Sequence, residues 1–222
     1  MTEYEAVLGE HLARYAALAP CAESVRAAAA LLIAAFRAGG KLLVCGNGGS
    51  AADGGHIAGE LMKSFRRPRP LSESYAARLR EGYGEDGARL ARRLEGGLPV
   101  IALSAHTALT TAVANDTDPA LIFSQQVAAL GRPGDVLWAL STSGSSENCV
   151  LAATAARAAG MRVLAMTGEG GGRLAPLADV TVAVPARETY QVQEYHLPIY
   201  HALCAAVEAA FWGGQWPPQT RS

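Results

Sequence analysis

Apolar positions recur at helical spacing through residues 3–38: Leu8, Leu12, Tyr15 and Leu18, then Val25, Leu31, Leu32, Ala35 and Phe36. This stripe predicts two helices divided near Ala19-Pro20 and closed by Gly39-Gly40. Beyond them the pattern changes. Lys41–Cys45, Pro99–Leu103, Val136–Leu140, Arg162–Thr167 and Val180–Val184 are nearly continuous apolar runs, the mark of strands covered on both faces. Helical patterns follow the first and third runs, at about 50–65 and 146–159, and a helical or irregular stretch follows the second. Strand and helix in alternation predict a three-layer α/β/α sandwich with a mostly parallel sheet. The last long segment, about 191–211, has helical composition apart from Pro198, which predicts a kink or a fresh start near Glu194 to Leu197. A short Gly/Trp/Pro tail follows.

Residues 71–97 depart from the alternation. Tyr75, Leu79, Tyr83, Leu90 and Leu94 suggest one or two short amphipathic helices interrupted at Gly82-Tyr83-Gly84. We read a helical cap inserted at 68–97 in a single domain spanning 1–222.

Composition narrows the function classes. Of 222 residues half are apolar, enough for one substantial core, and 19 basic against 20 acidic residues leave a net charge of −1. No broad cationic field advertises nucleic acid or an anionic membrane. The basic run Arg66-Arg67-Pro68-Arg69 is short and broken, as in a solvated loop. Cys21, Cys45, Cys149 and Cys204 are scattered in apolar segments and form no CxxC, which suits buried thiols in a reducing cytosol. The opening Met-Thr-Glu-Tyr-Glu has no leader pattern, and no bilayer-length stretch is free of charge or Gly. The expectation is a soluble cytoplasmic protein.

Candidate chemistry gathers at two strand tips. Leu42–Cys45 runs into Gly46-Asn47-Gly48-Gly49-Ser50, and Val136–Leu140 into Ser141-Thr142-Ser143-Gly144-Ser145-Ser146. Strand, small polar loop, then helix collects free N–H groups and hydroxyls around an anion such as a sugar phosphate. His56 and Glu60 lie four apart on the helix leaving the first loop, so both project from one stripe. Gln193, Leu197 and His201 follow i, i+4, i+8 on the last helix, with His196 rotated away. Each pair has an ordinary explanation, an exposed polar pair or a buried core histidine. Together, His56, Glu60, Gln193 and His201 offer donors for a zinc ion or for a general acid and base. Spacing alone leaves open whether the two helices meet.

The order Cys45-Gly46-Asn47-Gly48-Gly49-Ser50-Ala51-Ala52-Asp53, His56, Glu60, Ala114-Asn115-Asp116, Gly134-Asp135-Val136, Ser141-Thr142-Ser143-Gly144, Leu164-Ala165-Met166-Thr167-Gly168 and Gln193-Glu194-x-His196 with His201 resembles the sugar isomerase (SIS) domain, closest to the phosphoheptose isomerases. The resemblance implies a flavodoxin-like strand topology and an aldose–ketose isomerase acting on sedoheptulose 7-phosphate. It implies that Ser50, Ser141, Thr142, Ser143 and Ser146 grip the substrate, with Asn47, Gly48, Asp116 and Gln193 lining the site. Glu60 would be the base between C1 and C2 and His201 the acid, and some members hold zinc through residues matching His56, Glu60, Gln193 and His201. A homotetramer with sites at subunit contacts is also implied, and the Ala/Leu-rich N-terminal helices, which a sheet of this length does not need as cover, agree with association. Three features depart from the pattern. Ser64 stands where the family has an arginine, with Arg66 and Arg67 close by; Tyr190 replaces an acidic residue; and the cap follows the catalytic helix directly. Two other readings share the loops: an isomerase of another sugar phosphate, and a non-catalytic SIS regulator of the kind that binds the replication initiator DnaA, which lacks the carboxylate and the last histidine.

Overall fold

The computed structural model describes residues 2–214; the part of the sequence-read tail beyond Gly214 lies outside the described residues. The elements in order are α1 (Glu3–Leu12), α2 (Ala22–Arg37), β1 (Leu42–Cys45), α3 (Gly49–Met62), α4 (Glu73–Gly82), α5 (Gly84–Arg93), β2 (Val100–Ala102), α6 (Thr107–Asp116), α7 (Ser124–Leu130), β3 (Val136–Ser141), α8 (Glu147–Ala158), β4 (Arg162–Thr167), β5 (Val180–Ala183) and α9 (Thr189–Trp212). Short 3-10 turns fill several of the connections.

The five strands pair in parallel throughout the sheet, in the order β2-β1-β3-β4-β5. Alternate strand residues separate into two cores, as a period of two requires. Leu42, Val44, Val136, Trp138, Leu140, Leu164 and Met166 face one layer with α2, α3 and α9. Leu43, Cys45, Leu137, Ala139, Val163 and Ala165 face the other with α7 and α8. Both faces are covered, which is why the strands read as unbroken apolar runs. All four cysteines are free and buried; the neighbouring Cys149 thiol and burial both push Cys45 up.

Two expectations are corrected. The sheet does need α2: Val25, Ala28, Ala29, Leu32 and Phe36 are buried in the first core, and α2 packs on β5 and α9. The stretch Ala16–Arg37 has the length and apolarity to cross a membrane, and in the fold the apolar side of α2 is spent on the sheet. α1 in turn packs on α9, burying Val7 against Ala205 and Ala209. The second correction concerns Pro198, which neither ends α9 nor restarts it: one helix runs from Thr189 to Trp212. The carbonyl that Pro198 leaves without its N–H partner belongs to Glu194, an exposed residue, and water can satisfy it there.

β1 connects onward to β2 on one side, and β3 to β4 on the other. Their carboxyl ends are therefore adjacent at the point where strand order reverses, the crevice in which open α/β sheets bind ligands. Asp135 pins the opposite ends of these two strands. Its carboxylate accepts from the N–H groups of Lys41 and Arg132, both at 2.9 Å, and pairs with Lys41 Nζ at 2.5 Å.

The inserted segment forms α4 and α5, which pack chiefly on each other. Its two ends meet: Pro70 and Glu95 form an antiparallel bridge, and Gly96 N–H donates to the Arg69 carbonyl at 2.6 Å.

Candidate active site

Both sequence-predicted loops stand at the crevice. In the first, Gly48 takes φ +53°, a conformation natural to glycine, and α3 starts at Gly49 with no side chain capping it. Uncapped N–H groups at a helix start favour an anion. α8 also starts without a side-chain cap, just past the second loop. There the Ser141 hydroxyl donates to Ser146 Oγ at 2.9 Å, Ser145 N–H donates to Ser143 Oγ at 3.1 Å, and Gly144 takes φ +63° under the Gly171 carbonyl. Asn47 reaches across the crevice to Asn148 in the first turn of α8. The two amides exchange bonds of 2.9 and 2.8 Å, tying one loop to the other. Asn148 escaped the sequence reading; its signal was an amide two residues past the second loop.

Helices α3 and α9 lie side by side in the same direction, which settles what spacing left open. Gln193 packs its amide against Gly49, where a Cβ would stand 2.6 Å from Nε2. Further along, His56 Nε2 is 3.0 Å from Glu60 Oε1, and the His201 ring lies 5.0 Å from that of His56, edge to face. Gln193 sits eight residues before His201 on the same stripe, about 12 Å along the axis. Asp116 is exposed at the end of α6, its carboxylate accepting from Asn115 at 2.8 Å, and among the described residues no hydrogen bond joins it to either loop.

Tyr200 and Asp53 complete the cluster, and neither was singled out by spacing. Tyr200 OH donates to Asp53 Oδ1 at 3.2 Å, so its oxygen accepts from His56 Nδ1 at 3.0 Å. That bond turns Nε2 toward Glu60. Burial raises the Asp53 carboxyl, against the pull of the Tyr200 bond, and burial with the Asp53 charge raises the phenol. Burial, then the neighbouring His56, lowers His201, which is therefore neutral at pH 7. A cavity of about 260 Å³ opens beside His201, lined by His11, Arg14, Tyr15, Phe65, Arg66 and Pro198. Of the two arginines near the Ser64 position, Arg66 faces this cavity while Arg67 pairs with Glu3 at 2.5 Å.

The donor set is of the kind zinc takes: two imidazoles, a carboxylate and an amide oxygen. His201 Nε2 is buried without a partner, and His56 Nε2 faces Glu60 Oε1 at 3.0 Å. In this side-chain arrangement no three His, Cys, Asp or Glu residues among the described residues converge at metal-binding distance.

A family model described as the SIS domain matches residues 3–96 and 88–168. Over 193 residues, 87% of this chain and 89% of the relative, the sequence is 43% identical to a phosphoheptose isomerase of Rhodospirillum rubrum. The chain belongs to the phosphoheptose isomerase family. Another phosphoheptose isomerase, from Akkermansia muciniphila, is 37% identical over 90% of this chain and 92% of its own length. Solved phosphoheptose isomerases agree in fold. The Francisella tularensis structure superposes with a TM-score of 0.71 at 31% identity over 93% of this chain and 98% of its own, and the Neisseria gonorrhoeae structure with 0.66 at 37% over 83% and 86%. The Vibrio vulnificus NanR protein, solved with ManNAc-6P, shares the fold alone, at 16% identity over 88% of this chain and 62% of its own, with a TM-score of 0.52.

Proposed function

We propose that this member of the phosphoheptose isomerase family interconverts sedoheptulose 7-phosphate and D-glycero-D-manno-heptose 7-phosphate through an enediol. The observation that carries the reading is the meeting of Glu60, His56 and His201 on two parallel helices whose starts flank the anion loops. The substrate phosphate would take N–H groups and hydroxyls from Ser50, Ser141, Thr142, Ser143 and Ser146, with Asn47, Gly48 and Gln193 around the sugar chain. Exposed Asp116 has less support as a contact.

With the phosphate fixed, the Glu60 carboxylate takes the proton from C1 of the ketose, and the electron pair forms the C1=C2 bond. His201, neutral at pH 7, offers N–H to the C2 oxygen and carries the proton between O2 and O1. As C1=O forms, Glu60 returns its proton to C2. Zinc held by His56, Glu60, Gln193 and His201 would polarise the carbonyl when bound, and as a zinc ligand Glu60 would be a weaker base. A homotetramer and a cytoplasmic setting belong to the same reading, and the four reduced, buried cysteines agree with the latter.

The test is incubation with sedoheptulose 7-phosphate and other ketose phosphates, with and without chelator, following aldose formation. Aldose heptose from sedoheptulose 7-phosphate is the expected product. Turnover of a different ketose phosphate alone reassigns the substrate, silence on all of them favours a sugar-phosphate-binding regulator, and full activity after exhaustive chelation removes the zinc.

A further inference from the structure

A buried ion pair closes the far end of α3. The side chains of Arg69 and Glu208 are both fully buried, with Nε donating to Oε1 at 2.8 Å. The other arms of the guanidinium donate to the carbonyls of Glu60 and Leu61, each at 2.8 Å, and its face lies 4.6 Å over the Trp212 ring. Glu208 in turn accepts the backbone N–H groups of Phe65 and Arg66, both at 2.9 Å. Phe65 packs its ring 5.5 Å from that of His201.

The last carbonyls of a helix have no partner within it, and Arg69 supplies one to two of them. A cap of lower desolvation cost would do as much for stability, because a buried ion pair is often no more stable than an apolar pair of equal volume. What the fork adds is geometry. It fixes the backbone of Glu60 from behind, while its counter-ion fixes the residue that supports His201.

We propose that Arg69 is a positioning residue for the isomerisation, an inference that rests on the function proposed above. The two ends of α3 then have complementary tasks. The first loop fixes the phosphate at one end, and the Arg69–Glu208 pair fixes the carboxylate at the other, so that Glu60 and His201 stay in register with C1 and C2.

Two variants separate positioning from stability. Arg69→Lys keeps a charge opposite Glu208, but a single ammonium does not reproduce the planar fork across both carbonyls. The double variant R69M/E208L replaces the pair by apolar side chains and avoids leaving a buried charge unpaired. For both we expect kcat to fall at least tenfold with KM within threefold of wild type, a split that marks stabilisation lost in the transition state alone. The deuterium isotope effect with C1-labelled sedoheptulose 7-phosphate should rise as proton abstraction becomes limiting, a readout that loss of stability does not move. Variants that match wild type within threefold in kcat, with an unchanged isotope effect, overturn the inference and leave the function standing. A wild type that makes no aldose from this substrate overturns both.

Discussion

Glu60→Gln keeps the size and the contact with His56 and removes only the base. Turnover should fall by about 10³-fold, while calorimetry should find sugar-phosphate affinity within a few-fold of wild type; preserved turnover takes Glu60 out of the mechanism. His196 makes a separate prediction. It is fully buried with neither ring nitrogen partnered, the Thr167 carbonyl nearby falling short of a good bond, and burial lowers it to about 4. The unfolded chain takes up this proton near the ordinary value of 6.5 and the folded one only near 4. This contribution to stability is therefore complete above pH 6.5 and falls as pH drops from there toward 4, by roughly 3 kcal/mol in all. His196→Leu should flatten thermal stability across that window, and an unchanged slope would show that other groups set it. Residue pairs on one helix, His56 with Glu60 and Gln193 with His201, were legible because the helical repeat alone puts them on one stripe. Tyr200 and Asp53 were not. Their contact depends on how α3 and α9 are rotated about their own axes, and spacing within a helix says nothing about that.

Among elements, the second loop is tightly constrained. A Cβ on Gly144 would stand 2.2 Å from the Gly171 carbonyl at a φ of +63°. Gly144→Ala should therefore displace the Ser141–Ser146 turn, cost about 1–3 kcal/mol, and raise KM about tenfold or more with the circular dichroism of the sheet unchanged; a KM at the wild-type value removes this loop from binding. The strands were readable because burial on both faces leaves an unmistakable apolar run. The role of α2 was hidden, since an apolar stripe records that a face is covered without recording by what, and a sheet and a second subunit leave the same stripe. The fresh start expected at Pro198 is absent for a related reason. Its local cost is real, but the packing of Ile199, Leu203 and Val207 into the first core beyond it, and of Val192 before it, outweighs one lost hydrogen bond.

At the scale of the whole molecule, association is the property to measure. Light scattering at micromolar concentration should give the mass of four copies, and an active monomer would refute the tetramer. The cap offers a cleaner experiment. Because Pro70 and Glu95 pair and Gly96 bonds back to Arg69, the chain leaves the body and returns to it at one closed point. Closing so short a gap costs little entropy, whatever the excursion contains. Replacing residues 71–94 by a short turn should leave the sheet folded by circular dichroism, and unfolding on excision would show that α4 and α5 support the body. The closed base makes the segment an exchangeable cassette: this is where the polypeptide can be lengthened, shortened or grafted with foreign sequence while the backbone of Glu60 keeps its own moorings.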